Sequence, residues 1–245
     1  MKIAFATLAL CMAPVAAFAA DLPGRKASNA PTQAPALFTW AGPYAGLNAG
    51  WGFGKVTDPY VTPIVGSIKT SGALGGLQVG YNHQAGDFVL GVEADYAMAN
   101  VKGEISASGT LALGGFSLSG KATIESALKS FGTIRARAGV TMNSALIYAT
   151  GGYAYGRNKV TGSMSGTETV SGISRAAVGT ESSSKTMSGW TLGAGVEYAI
   201  TSNLSGKLEY LYADLGKATF FNGTLSQDEI SVKVSVIRAG VNYRF

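Results

Sequence analysis

Two acids stand two residues apart at Glu93 and Asp95, a pairing that could serve general acid–base chemistry. Two cations share that spacing at Arg135 and Arg137, and further charges alternate with apolar residues at Glu197, Lys207, Glu209, Arg238 and Arg244. Nucleophilic chemistry lacks its parts. His83 is the only histidine and Cys11 the only cysteine, so His- and Cys-based triads and thiolate metal sites have no support. Gly162-Ser163-Met164-Ser165-Gly166 has the outline of a nucleophile elbow, but Met stands in the nucleophile's place. The glycines of Gly151-Gly152-Tyr153-Ala154-Tyr155-Gly156 lie in strand-like sequence and lead into no helix, so they do not read as a phosphate cradle. No enzyme, metal or cofactor is expected. The acids and bases read instead as a paired structural network.

That network needs elements with a period of two. The chain is 47% hydrophobic and only 13% charged, against about 25% charge in soluble domains. Beyond the N-terminus no segment approaches the roughly 20 consecutive apolar residues of a membrane helix, so apolar residues must be carried by alternation. Residues 1–19 read as a signal peptide, with Lys2, an apolar run to Phe18 and small residues at Ala17 and Ala19. Residues 20–39, with Pro23, Pro31 and Pro35, read as a flexible periplasmic lead-in, and residues 40–245 as the barrel domain.

From Trp40 the alternation predicts eight strands. Leu47 and Trp51 share a face in the first, Leu77 and Tyr81 in the second, Leu90 and Tyr96 in the third, Ile134 and Val140 in the fourth. The fifth is ambiguous, with Ile147, Ala149, Tyr153 and Tyr155 the favoured apolar set. Trp190 and Tyr198, Leu208 and Tyr212, and Ile237 and Phe245 mark the last three. Short turns fall near Gly86, Asn143 and Ser202, and long loops at about 55–70, 101–127, 156–187 and 216–229. This is the plan of an all-β, eight-stranded antiparallel up-and-down transmembrane barrel with short periplasmic turns and long extracellular loops.

The charges decide which face meets lipid. Glu93, Asp95, Arg135, Arg137, Glu197, Lys207, Glu209, Arg238 and Arg244 all oppose the large apolar side chains. Placing the apolar set inside would overfill a small barrel. The charged set is therefore inside, with glycines beside it making room. A buried charge needs a partner, so the nine groups are expected to pair and fill the lumen, Glu197 lying opposite Lys207. Trp51, Tyr96 and Trp190 form one aromatic girdle, and Trp40, Tyr81 and Phe245 contribute to the other.

Several ordered blocks carry a family resemblance: Trp40-Ala41-Gly42-Pro43-Tyr44-Ala45-Gly46-Leu47-Asn48, Gly76-Leu77-Gln78-Val79-Gly80-Tyr81-Asn82, Gly189-Trp190-Thr191-Leu192-Gly193-Ala194-Gly195-Val196-Glu197-Tyr198 and Arg238-Ala239-Gly240-Val241-Asn242-Tyr243-Arg244-Phe245. They resemble the small outer-membrane immunogenic proteins of Gram-negative bacteria, a porin-family group of opacity-like barrels. The resemblance implies an outer-membrane location, antigenic surface loops and, for some members, pore formation or hemin binding. Val241, Tyr243 and Phe245 look like the terminal signature recognised by the barrel-assembly machinery. Where relatives commonly carry Trp after Gly-Tyr-Asn, this chain has His83. As a hemin ligand His83 would be expected among the external loops, yet alternation turns it outward beside a periplasmic turn. Asn222-Gly223-Thr224 fits a glycosylation sequon that has no default meaning in such a barrel. The expected partners are outer-membrane lipids and the assembly machinery, with hemin or host surface ligands as the alternative. A net charge of +5 without a basic stripe gives nucleic acid no support, and homo-oligomerisation stays open.

Overall fold

Alternation makes each strand a ribbon with two unlike faces, and in the computed structural model eight such ribbons close on one another. The structure describes residues 38–57, 67–220 and 228–245. The signal-peptide reading at 1–19, nearly all of the lead-in, residues 58–66 and the sequon at Asn222 lie outside the described residues. The strands are β1 (Gly42–Thr57), β2 (Ile68–Ala85), β3 (Phe88–Leu113), β4 (Phe116–Met142), β5 (Ala145–Val170), β6 (Ile173–Ala199), β7 (Leu204–Phe220) and β8 (Asp228–Arg244). They form a closed barrel in sequence order, β1 pairing antiparallel with both β2 and β8. No helix among the described residues is long and apolar enough to cross a membrane. Crossing is by strands.

The outer wall is apolar. Leu47, Leu77, Leu90, Ile134, Leu192 and Ile237 are all about half exposed or more. Ile147, Ala149 and Tyr153 share the outward face of β5, as favoured, and Tyr153 stacks on Tyr155.

Two of the long loops are not loops. Residues 101–127 and 156–187 continue the strands, so that β3 to β6 each run 26 or 27 residues. That is more than twice the roughly 9–11 residues a strand needs to cross a bilayer. Two-residue turns make this workable: Gly114 and Gly115 have φ +49° and +86°, and Ser171 and Gly172 have φ 51° and +84°. Two successive positive φ values match the right-handed twist of a hairpin. Pairing of β2 with β3 ends at Ser71 and Lys102, and that of β6 with β7 begins at Trp190 and Asp214. Beyond those points β3, β4, β5 and β6 continue alone as a four-stranded sheet on the side away from the short turns.

Trp40 corrects the girdle reading. It is only 1% exposed and packs inside the barrel mouth with Val89, Leu146 and Tyr148. It precedes β1 and is buried on the same side of the wall as Tyr44 and Asn48. The lumen thus has three levels. This aromatic cluster fills the short-turn end, the charges occupy the middle, and an apolar layer including Leu74, Phe131, Leu211, Leu215 and Val236 fills the far half.

Candidate functional site

Eight buried charges form the middle layer. On β3 and β4, Glu93 lies opposite Arg135, and on β7 and β8 Glu209 lies opposite Arg238. Arg135 reaches both acids, donating to Glu93 and, through Nη1, to Glu209 at 3.0 Å. Arg238 bridges in the same way, with Nε 2.7 Å from Glu209 and Nη1 2.9 Å from Asp95. Thr133 donates its hydroxyl to Asp95. Lys207 directs Nζ at both oxygens of Glu93, at 2.8 and 2.9 Å.

The expected register of Glu197 opposite Lys207 is present, but the ion pairing follows another route. Glu197 takes Arg137 at 2.8 Å, Ser205 Oγ at 2.6 Å and Asn242 Nδ2 at 2.8 Å. Lys207 instead reaches β3 across the lumen. An eight-stranded barrel is narrow enough for long side chains to meet across its axis, so a neighbour in the ladder competes with groups on the far wall. Four acids (Glu93, Asp95, Glu197, Glu209) face four cations (Arg135, Arg137, Lys207, Arg238), and their formal charges cancel.

Arg244 stands apart from this network. No carboxylate lies within ion-pair distance of it among the described residues. Its guanidinium sits 4.8 Å from the ring centres of both Phe38 and Trp40, and Nη1 donates to Thr39 O at 2.6 Å. Trp40 N donates to Gln84 Oε1 at 2.7 Å. Arg244 therefore fastens the chain entering β1 into the short-turn mouth through cation–π contact. Its terminal position on β8 puts it nearer the short-turn end than Arg238.

Neutral polar groups complete the layer, and the charge pattern alone did not mark them. Tyr44 donates to Glu93 at 2.8 Å and accepts from Arg137 at 3.0 Å. Tyr148 donates to Glu209 at 3.0 Å while its ring lies 4.0 Å from the Arg137 guanidinium. Asn48 donates to Gln78, and Gln78 to Asn242, along the β1, β2 and β8 wall. Their inward parity was the available signal. Gly195 answers the size of Tyr148: a Cβ there would stand 2.6 Å from the phenol oxygen.

The remaining predicted positions lie on the outer wall. Val241, Tyr243 and Phe245 form an outward row, with Tyr243 and Phe245 in edge contact. His83 is exposed on the lipid side of β2, beside the turn at Gly86. Among the described residues no group of three or more His, Cys, Asp or Glu could hold a metal ion.

An apolar belt outside and a matched polar layer inside define an integral membrane β-barrel. The chain belongs to the family of the outer membrane protein beta-barrel domain, which matches residues 3–245, and it is an outer-membrane protein. It is 41% identical to the 31 kDa outer-membrane immunogenic protein of Brucella melitensis, over 96% of this chain and 95% of that one. The 25 kDa outer-membrane immunogenic protein of Brucella abortus is 31% identical over 94% and 91% of the two chains. Among solved structures, the outer membrane protein OprG from Pseudomonas aeruginosa aligns at 13% identity and a TM-score of 0.43, covering 84% of this chain and 97% of that one.

Proposed function

We propose that this protein is a structural barrel that displays a surface antigen, as its relatives' names suggest, and that its lumen is closed to free diffusion. The observation that carries this reading is the filling of the lumen by three layers in series. Trp40 at one end, the eight charges in the middle and Phe131 with Leu211 and Leu215 beyond them are all buried. An eight-stranded barrel has room for little more than such side chains. The matched charges leave no surplus to favour a column of water or counter-ions. At most a narrow path along the polar network would be compatible with this packing.

Capture of hemin or a host ligand lacks comparable support, because His83 lies at the rim opposite the projecting sheet. Purified protein reconstituted in planar bilayers tests the closed reading. The expected record has no stable open-channel steps; a large, persistent pore conductance overturns the reading in favour of a true porin.

A further inference from the structure

Above the closed wall, the four-stranded sheet has two unlike faces and two open edges. Rows across it place Ile105 beside Ile124, Ala107 beside Ala122 and Met164, and Leu113 beside Phe116, Val170 and Ile173 on one face, which is mainly apolar but also carries Glu168 beside Arg175, and Glu181 in the row of Ile105. The other face carries Ser106, Thr123, Ser163 and Thr180 in one row. The apolar face continues the lumen side of the barrel, since Ile105 and Ile124 pack on the upper apolar layer. Among the described residues no strand pairs with β3 from Ile105 to Leu113 on its outer side, nor with β6 from Ile173 to Ser184.

Such edges are templates for pairing, and proteins usually blunt them with charge, proline or bulges. The free β3 edge, Ile105-Ser106-Ala107-Ser108-Gly109-Thr110-Leu111-Ala112-Leu113, has no charge and no proline. The free β6 edge has only Arg175 and Glu181 in twelve positions counted from Ile173 to Ser184.

We propose that copies of this protein associate head to tail in the membrane, the free β3 edge of one pairing with the free β6 edge of the next. Direction selects this pair. Copies in one membrane share orientation and depth, so β3 leads away from the bilayer in every copy and β6 leads back. Only unlike edges meet antiparallel. Pairing like edges would turn the second sheet over, setting its Ser/Thr face beside the first sheet's apolar face. It would also bring Arg175 beside Arg175 and Glu181 beside Glu181 when both edges are β6, and like charges directly opposite are destabilising. The unlike pairing keeps the mainly apolar face on one side of the joined sheet, and the β3 edge from Ile105 to Leu113 brings no charge to oppose Arg175 or Glu181. The free β3 edge is nearly as long as the β6–β7 seam that closes the barrel from Trp190 to Ala199. A head-to-tail contact need not close after two copies, so a ladder of species is expected. The inference holds whether or not the lumen conducts.

Two differently tagged full chains, one with Ser108→Cys and one with Thr180→Cys, are co-expressed and treated in outer membranes with a short bis-maleimide. The wild-type chain, whose only cysteine is Cys11, is the blank. A cross-linked pair carrying both tags is expected in the mixed membranes, with loss of that product when either variant is present alone. Charge gives an independent readout on native gels. Ser106→Lys and Thr110→Lys on β3, combined with Ala176→Lys and Val178→Lys on β6, should abolish the higher species. Placing Glu instead of Lys at the two β6 positions should restore them. The proposal is overturned by absence of the mixed product, by equal cross-linking within Ser108→Cys membranes, by cross-linking only to a different protein, or by equal behaviour of the Lys/Lys and Lys/Glu chains.

Discussion

Glu93 accepts from Lys207 on both oxygens, from Arg135 and from Tyr44, with Arg238 and Arg137 at 3.5 and 3.7 Å. Its side chain is 2% exposed. Exchanging this carboxylate for an amide leaves the net charge of the layer at +1 and deprives Lys207 of its ion partner. Breaking a buried pair by removing one member costs about 3–5 kcal/mol. Glu93→Gln should therefore lower unfolding stability in lipid vesicles by about that amount, measured by urea titration of the folded, heat-modifiable form. A loss below about 1 kcal/mol would show that these charges interact as weakly as exposed pairs do. At this scale parity was informative, and the nine charged positions are buried in the barrel. The individual partners were not legible, because a ladder register specifies neighbours on the wall and not contacts across a narrow axis. Arg244 illustrates the limit. Its parity was right, yet its terminal height pairs it with two aromatic rings instead of an acid.

Strands β3 to β6 serve two environments in one continuous element. Their membrane halves alternate outward apolar residues with inward charges or small and polar groups, whereas their outer halves are rich in Ser, Thr, Gly and Ala with scattered charges. Bulges between Met98 and Val101 on β3 and between Leu128 and Ser130 on β4 mark the junction. A bulge shifts register and bends the strand, so the outer sheet departs where the barrel stops closing. The barrel stops closing near this junction, the last pair of β2 with β3 being Ser71 with Lys102. Excising residues 104–113 with 116–125, and 161–170 with 173–182, rejoins Gly103 to Ser126 and Val160 to Ser183 through the existing two-residue turns. These residues already face one another. The shortened chain should still give a folded, heat-modifiable barrel, while losing the sites cleaved by protease added to whole cells. Failure to fold would place the outer sheet within the barrel's cooperative unit. Composition concealed this sheet, because Ser-, Thr- and Gly-rich segments resemble loops. The two-residue Gly114-Gly115 and Ser171-Gly172 turns were the available cue, since such pairs suit hairpin ends, but Gly75-Gly76 and Gly151-Gly152 inside β2 and β5 diluted it.

Across the whole molecule, the lumen layers act in series, so the tightest remaining layer limits any current. The middle layer is the one whose chemistry invites substitution, yet it is not the sole barrier. Arg135→Ala combined with Arg137→Ala would create space and leave Glu93, Asp95, Glu197 and Glu209 with fewer partners. Water could then enter that level. It would still meet Trp40, held by Arg244 and Gln84, on one side and the Phe131, Leu211 and Leu215 layer on the other. An apolar constriction resists wetting even where it is not sterically sealed. The double substitution is therefore expected to lower stability strongly without producing stable conductance steps in planar bilayers. Adding Trp40→Ala should open the short-turn end alone, and the current should stay at baseline. Conductance should emerge only when Phe131→Ala and Leu211→Ala are introduced as well. If the Arg pair alone yields a stable channel, the charged layer is the gate and the apolar half of the lumen is permeable. Alternation could identify an inward face, but the upper barrier was hidden from it: Phe131 and Leu211 occupy the same parity as the charges, and their apolar character becomes a layer only when the barrel closes.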